Sequence, residues 1–273
     1  MCTTCGCSEA PSPHRHNHES SRALPHVHDM TRTVSVGVDL LAVNDAHAAR
    51  NRHDLTHAGI LALNLMSGPG AGKTTLLEQT IRLLDRRVPV AVIEGDQQTS
   101  RDAERIRATG VPAIQINTGT GCHLDAHGVG RAIEDLAPPP LSILFIENVG
   151  NLVCPAAFDL GETRKVVILS ITEGEDKPLK YPHMFVAAHL LLIAKMDLLP
   201  HVEFDVGQCI AYAKQVNPSL EVRCVSAHSG EGMDAWLAWI EHHQGCCREE
   251  ARGVGRTHDH DGVFRGSNVN RHK

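Results

Sequence analysis

"ILALNLM", residues 60–66, runs directly into "SGPGAGKTT", residues 67–75, and this junction decides the fold. Seven residues among which only Asn64 is polar suit a strand covered on both faces. The next nine match the phosphate-binding pattern G-x-x-x-x-G-K-[ST] at every defined position except the first, where Ser67 stands in place of Gly. Gly68, Pro69, Gly70, Ala71 and Gly72 are small enough for backbone N–H groups to curl around phosphates. Lys73 reaches the outer phosphates, and Thr74, followed by Thr75, offers its hydroxyl to Mg²⁺. A helix opening near Lys73 adds the positive end of its dipole. A glycine-rich turn that binds nothing is the bland alternative, but strand, loop, Lys-Thr and helix occur here in the required order.

Outward from this junction the same rhythm continues. Short apolar runs recur at 88–94, 112–117, 141–147, 166–172, 190–194 and 221–227, most of them separated by helix-length segments. Continuous apolar strands alternating with helices predict an α/β fold of the P-loop NTPase type, a mainly parallel sheet flanked by helices. Ligands then bind at the carboxyl edge of the strands. Upstream, Leu40, Leu41, Val43, Ala46 and Ala49 are spaced like one face of an amphipathic helix.

The ends differ in character. Residues 1–35 read as a flexible arm rich in Cys and His, residues 36–244 as the folded domain, and residues 245–273 as a disordered tail holding further Cys and His. A net charge of −6 leaves no basic face, so nucleic acid is excluded as a partner. No apolar run is long enough to cross a bilayer and no secretory signal opens the chain, which predicts a soluble, cytoplasmic protein. Nine cysteines, an odd number, point to reduced thiols and metal ligands rather than a disulfide framework.

Carboxylates at strand ends are candidates for Mg²⁺ and for orienting an attacking water. Glu147 ends "ILFIE" and Asp96 follows "AVIEG", and either can serve, or both can be solvated strand-end acids. In "AKMD", residues 194–197, Asp197 can accept from the N1–H and exocyclic amine of guanine, whereas adenine presents an acceptor at N1. That selects GTP. The usual pattern is Asn-Lys-x-Asp, and Ala194 replaces the Asn before Lys195. In "VSAHSGEG", Ser226 and Ala227 stand where backbone donors would meet the guanine oxygen. No side chain announces itself as an arginine finger, which predicts slow turnover.

Two sets of soft ligands remain. Cys122, His123 and Cys154 sit on loops leaving the carboxyl edge, where thiolate and imidazole suit Ni²⁺ or Zn²⁺; two buried thiols and a surface His are the alternative. Cys2, Cys5 and Cys7 gather three thiols with no fold to help, for transit nickel, for zinc or for redox chemistry.

Taken together, "GPGAGKTT", "IEGDQQTSRDAERI", "GTGCHLDA", "ENVGNLVCPAAFDLGE", "TEGEDKPLKYPHMF" and "KMDLLP" resemble the nickel-incorporation GTPases of hydrogenase maturation, the HypB family, over roughly residues 36–243. The resemblance implies GTP hydrolysis and a GTP-dependent homodimer, with a nickel or zinc site of Cys122, His123 and Cys154 at its interface. It also implies a separate nickel site of Cys2, Cys5 and Cys7. The implied partners are a hydrogenase accessory metallochaperone and the [NiFe]-hydrogenase large subunit, the recipient of the nickel. A related urease-serving GTPase and a nickel store with a vestigial GTPase fold are the rival readings.

Overall fold

The computed structural model describes residues 30–96, 101–119 and 121–258, with side chains described between residues 40 and 253. The chain divides into two units, Met1–Val38 and Asp39–Lys273, and the second is the subject below. Cys2, Cys5 and Cys7 lie outside the described residues.

Helix α1 (Met30–His57) leads into β1 (Leu61–Ser67), α2 (Lys73–Leu84), β2 (Val90–Asp96), α3 (Arg101–Arg107), β3 (Ala113–Asn117), α4 (Ala126–Leu136) and β4 (Ile143–Glu147). There follow α5 (Cys154–Ala157), β5 (Arg164–Ser170), α6 (Lys177–Lys180), α7 (Pro182–Ala187), β6 (Leu190–Ala194), a 3-10 helix (Met196–His201), α8 (Val206–Val216), β7 (Glu221–Cys224) and α9 (Met233–His258). Each apolar run picked out in the sequence is a strand. The seven form one sheet in the order β3-β2-β4-β1-β5-β6-β7, and every pairing is parallel.

Central β1 and β4 are buried along their whole length, whereas β3 and β7, with a neighbour on one side only, are half-buried and carry Gln115, Glu221 and Arg223. Strands β1 and β4 are adjacent, yet the chain leaves β1 for β2 on one flank and β4 for β5 on the other. Diverging exits open a crevice at the carboxyl ends of this pair, which places the ligand site.

One face of the sheet is covered by α2 and α9. Leu77, Ile81 and Leu84 of α2 recur every three or four residues and, with Leu76, pack with Trp236, Trp239 and Ile240 of α9 on the inner strand residues. The Trp236 indole N–H donates to Thr80 Oγ1 at 2.9 Å, so the polar atom of each is satisfied in the core. Asp125 and Asp205 begin α4 and α8 by accepting from the amides of Gly128 and Gln208, each at 2.8 Å. The disordered tail was expected from residue 245, but α9 continues to His258 and buries Cys247.

Helix α1 forms, but it docks by a different face from the one its apolar spacing suggests. Leu40 and Val43 are 63% and 60% exposed, and Leu41, Ala46 and Ala49 are exposed too. The buried stripe is Asn44, Ala48, Asn51 and Leu55. Hydrogen bonding chose it: Asn44 donates to Asp159 O at 2.8 Å and accepts from the Ala126 amide at 2.9 Å. Asn51 donates to Ala126 O and Leu160 O at 2.8 and 3.0 Å. At Gly161, with φ 89°, a Cβ would fall 2.6 Å from Ala48 O, so glycine permits the close approach. Asn51→Ala leaves buried backbone groups without these partners and is expected to cost about 1–3 kcal/mol, read from the urea midpoint.

Candidate nucleotide site and adjoining metal centre

The loop after β1 closes on two glycines with left-handed backbone, Gly70 at φ 74° and Gly72 at φ 97°, and Gly72 opens α2 at Lys73. Lys73 Nζ donates to Ser67 Oγ at 2.9 Å. The one departure from the phosphate pattern thus supplies a hydroxyl that parks the lysine. A cavity of about 400 Å³ lies over the loop, lined among others by Lys73, Thr74, Glu94, Asp96 and Glu147. Arg105, overlooked in the sequence, also lines it, held by Glu78 at 2.8 Å and Thr75 at 3.2 Å.

Glu147 and Asp96 are the two candidates for the cation that the sequence offers. Both line the cavity, and Glu147 Oε1 accepts from Thr74 Oγ1 at 2.6 Å, the contact expected between two Mg²⁺-side groups. Glu94, which pairs in register with Glu147, was missed, although an acid two residues before Asp96 in a strand faces the same way. Glu94 Oε2 and Glu147 Oε2 are buried and have no hydrogen-bond partner among the described residues. Two orphaned carboxylate oxygens beside a threonine hydroxyl are a donor set that fits a hard divalent cation.

Burial, then the neighbouring Glu147 charge, pushes the Glu94 carboxyl up to about 8. Burial also raises Glu147, against the opposing pull of Lys73 and the Thr74 hydrogen bond. Since the fold favours the neutral form, this contribution to stability is full below the ordinary value of 4.5 and is lost as pH rises toward about 8. Thermal unfolding without nucleotide or Mg²⁺ is therefore expected to fall in temperature across that window, and Glu94→Gln is expected to flatten the slope.

A second cavity of about 200 Å³ adjoins the first and shares Gly72, Thr75 and Lys195 with it. Ala194, Asp197 and Ala227 line it. Lys195, at φ 64°, turns back to donate to Gly70 O at 2.7 Å, tying this loop to the phosphate loop. Ser226 serves differently from expectation. Its amide donates to Glu231 O at 2.8 Å, and its hydroxyl donates to the Asp197 carboxylate, so it positions Asp197 and leaves the cavity wall to Ala227.

Beyond the phosphate cavity, one ligand atom from each of Cys122, His123 and Cys154 lies within 4.8 Å of the others. Among the described residues this is the one such group. Burial, opposed by Asp125, holds the His123 imidazole below its ordinary pKa and so neutral, the ligating form. Its ring stacks on Phe158 at 3.8 Å. A hydrogen bond shared with Cys122, then burial, raises the Cys154 thiol.

Asn148, first residue of the "NVGN" loop that follows Glu147, links this centre to the nucleotide side. Buried directly after Glu147, it accepts from the Leu124 amide at 3.2 Å, one residue beyond His123, and donates to Asn64 Oδ1 at 3.2 Å. Asn64 donates in turn to Glu162 at 3.1 Å. Both ligand loops therefore hang from the end of β4.

Comparison with known proteins identifies the family. The family model described as "CobW/HypB/UreG, nucleotide-binding domain" matches residues 61–223. The hydrogenase maturation factor HypB of Azotobacter chroococcum mcd 1 is 65% identical over 215 residues, covering 79% of this chain and 70% of its own. That of Escherichia coli (strain K12) is 60% identical over 210 residues, covering 77% and 72%. The crystal structure of HypB from Helicobacter pylori in complex with nickel superposes with a TM-score of 0.69 at 37% identity, covering 74% of this chain and 94% of that one. A parallel sheet with a phosphate loop, carried by residues matching over most of the chain, places this protein in the nucleotide-binding HypB family of hydrogenase maturation factors.

Proposed function

We propose that this chain hydrolyses GTP and couples the nucleotide state to holding and releasing nickel destined for the large subunit of a [NiFe]-hydrogenase. Gly68, Gly70, Ala71, Gly72, Lys73, Thr74 and Thr75 hold the phosphates, and Lys195, Asp197 and Ala227 the guanine. Thr74 and Glu147, with Asp96, hold Mg²⁺, which when bound neutralises charge developing on the phosphates. Lys73 leaves Ser67 for the outer phosphates, and Asp96 or Glu147 orients the attacking water.

One observation carries the coupling: the loops bearing Cys122, His123 and Cys154 converge on the residues Glu147 and Asn148, which also face or border the phosphate cavity. A change at Glu147 shifts Asn148, and with it the amide of Leu124 and the start of the Cys154 loop. Three ligands leave a position open, and a GTP-dependent homodimer supplies the facing set. Cys2, Cys5 and Cys7 form a separate nickel site on the arm, and an accessory metallochaperone takes part in the transfer.

Nickel retention and molecular mass measured in GTP-analogue and GDP forms test this reading, with the expected outcome a heavier species and tighter retention with the triphosphate. Identical retention and mass in both forms would remove the coupling. A nickel store predicts negligible hydrolysis and loss of most nickel on deleting residues 1–30. Guanine selection has its own test: Asp197→Asn turns an acceptor into a donor and is expected to weaken GTP by about a hundredfold while favouring xanthosine triphosphate, measured by competition.

A further inference from the structure

On α9, "HHQGCC", residues 242–247, sets two soft-ligand pairs side by side at a spacing of four: His242 with Cys246 and His243 with Cys247. Residues four apart share a helix face. The fold treats the two pairs differently. Cys247 is buried in the core, and burial raises its thiol. The His243 ring lies against Trp239 with centroids 4.1 Å apart, and its Nδ1 is buried without a partner among the described residues. That inner pair is packing. In the outer pair both side chains are exposed, and Cys246 Sγ stands 3.9 Å from His242 Nε2.

A tetrahedral ion with its usual bond lengths to sulfur and to imidazole nitrogen sets those two atoms about 3.6 Å apart. A small side-chain rotation closes the difference. His242 also borders a cavity of about 420 Å³, lined by Glu221, Arg223 and Trp239 among others, and Cys246 is open to solvent, so water or an added ligand can approach the pair. This turn of α9 lies far from the phosphates. Gln244 donates to Leu141 O, just before β4 begins, so the pair sits at the amino edge of the sheet, opposite the nucleotide.

We propose that His242 and Cys246 form a further metal site, for a thiophilic divalent cation of the zinc and nickel class, on the amino edge of the sheet. Thiolate with imidazole selects such ions over Mg²⁺. With only two protein ligands the ion exchanges readily, which suits acceptance and passing on rather than storage. The inference stands apart from the nucleotide-coupled reading above.

The test uses the full chain with Cys2, Cys5, Cys7, Cys122 and Cys154 changed to Ser, titrated anaerobically with Co²⁺ alone. The expected result is a sulfur-to-cobalt charge-transfer band that Cys246→Ser removes, while His242→Ala weakens binding about tenfold or more. Because Cys246 and His242 are exposed, neither change disturbs packing, and Cys246→Ser in the otherwise unaltered chain is expected to lower bound Co²⁺ by one equivalent without changing GTP turnover. No band in the five-Ser chain, or a band that persists after Cys246→Ser, would overturn the site.

Discussion

Lys73→Ala is expected to lower GTP hydrolysis by about a thousandfold. The ammonium stands at the opening of α2, where the helix dipole and the loop amides already favour negative charge. Its present partner is the uncharged Ser67 hydroxyl at 2.9 Å, and among the described residues no carboxylate accepts from it, so moving to a phosphate breaks no ion pair there. In the proposed reaction Lys73 offsets charge accumulating on the transferred phosphoryl group, and Arg105, tied to Glu78 and Asp102, is placed to help only by leaving those partners. Lys73→Arg keeps the charge but needs more room in a loop built from small residues, and is expected to recover little. Phosphate release measures the loss, while nickel bound in the absence of nucleotide should be unchanged. Equal loss of both would contradict separate nucleotide and metal sites.

The second large effect is expected at Cys154. Cys154→Ser replaces a soft donor by a hard one in the proposed three-ligand centre and is expected to weaken nickel there by about a hundredfold or more, measured by equilibrium dialysis with Cys2, Cys5 and Cys7 also changed to Ser. Cys154 begins α5 with its amide directed to the Asn151 side chain at 3.3 Å, a bond that serine retains, so the loop keeps its shape. GTP hydrolysis should therefore persist in the variant, without the nickel dependence that the coupling predicts. Loss of hydrolysis along with nickel would mean that Cys154 supports the phosphate site directly.

Much of this molecule is legible in its sequence. The inner strands β1, β2, β4, β5 and β6 announce themselves because a strand covered on both faces has no solvent side to alternate with, so its residues form a mainly apolar run, whereas the edge strands β3 and β7 interrupt theirs with Gln115, Glu221 and Arg223. The phosphate loop is equally local: its glycines, Lys73 and Thr74 act within one strand-to-helix turn. Gathering Cys122, His123 and Cys154 needed only the inference that loops leaving parallel strands emerge at the same edge.

Tertiary structure decided the rest, wherever partners distant in sequence compete for a side chain. Helix α1 offered an apolar face, yet backbone groups of Ala126, Asp159 and Leu160 demanded hydrogen bonds, and the asparagine face docked instead. Ser226 was set to Asp197 rather than to the base because its amide was already engaged by Glu231. Glu94 became a buried orphan only through its register with Glu147, and Asn148 became a link only because β4 lies between β1 and β2. Local pattern thus determined which elements form and which chemistry they carry; the satisfaction of buried polar groups, a long-range condition, determined which faces meet and which residues communicate.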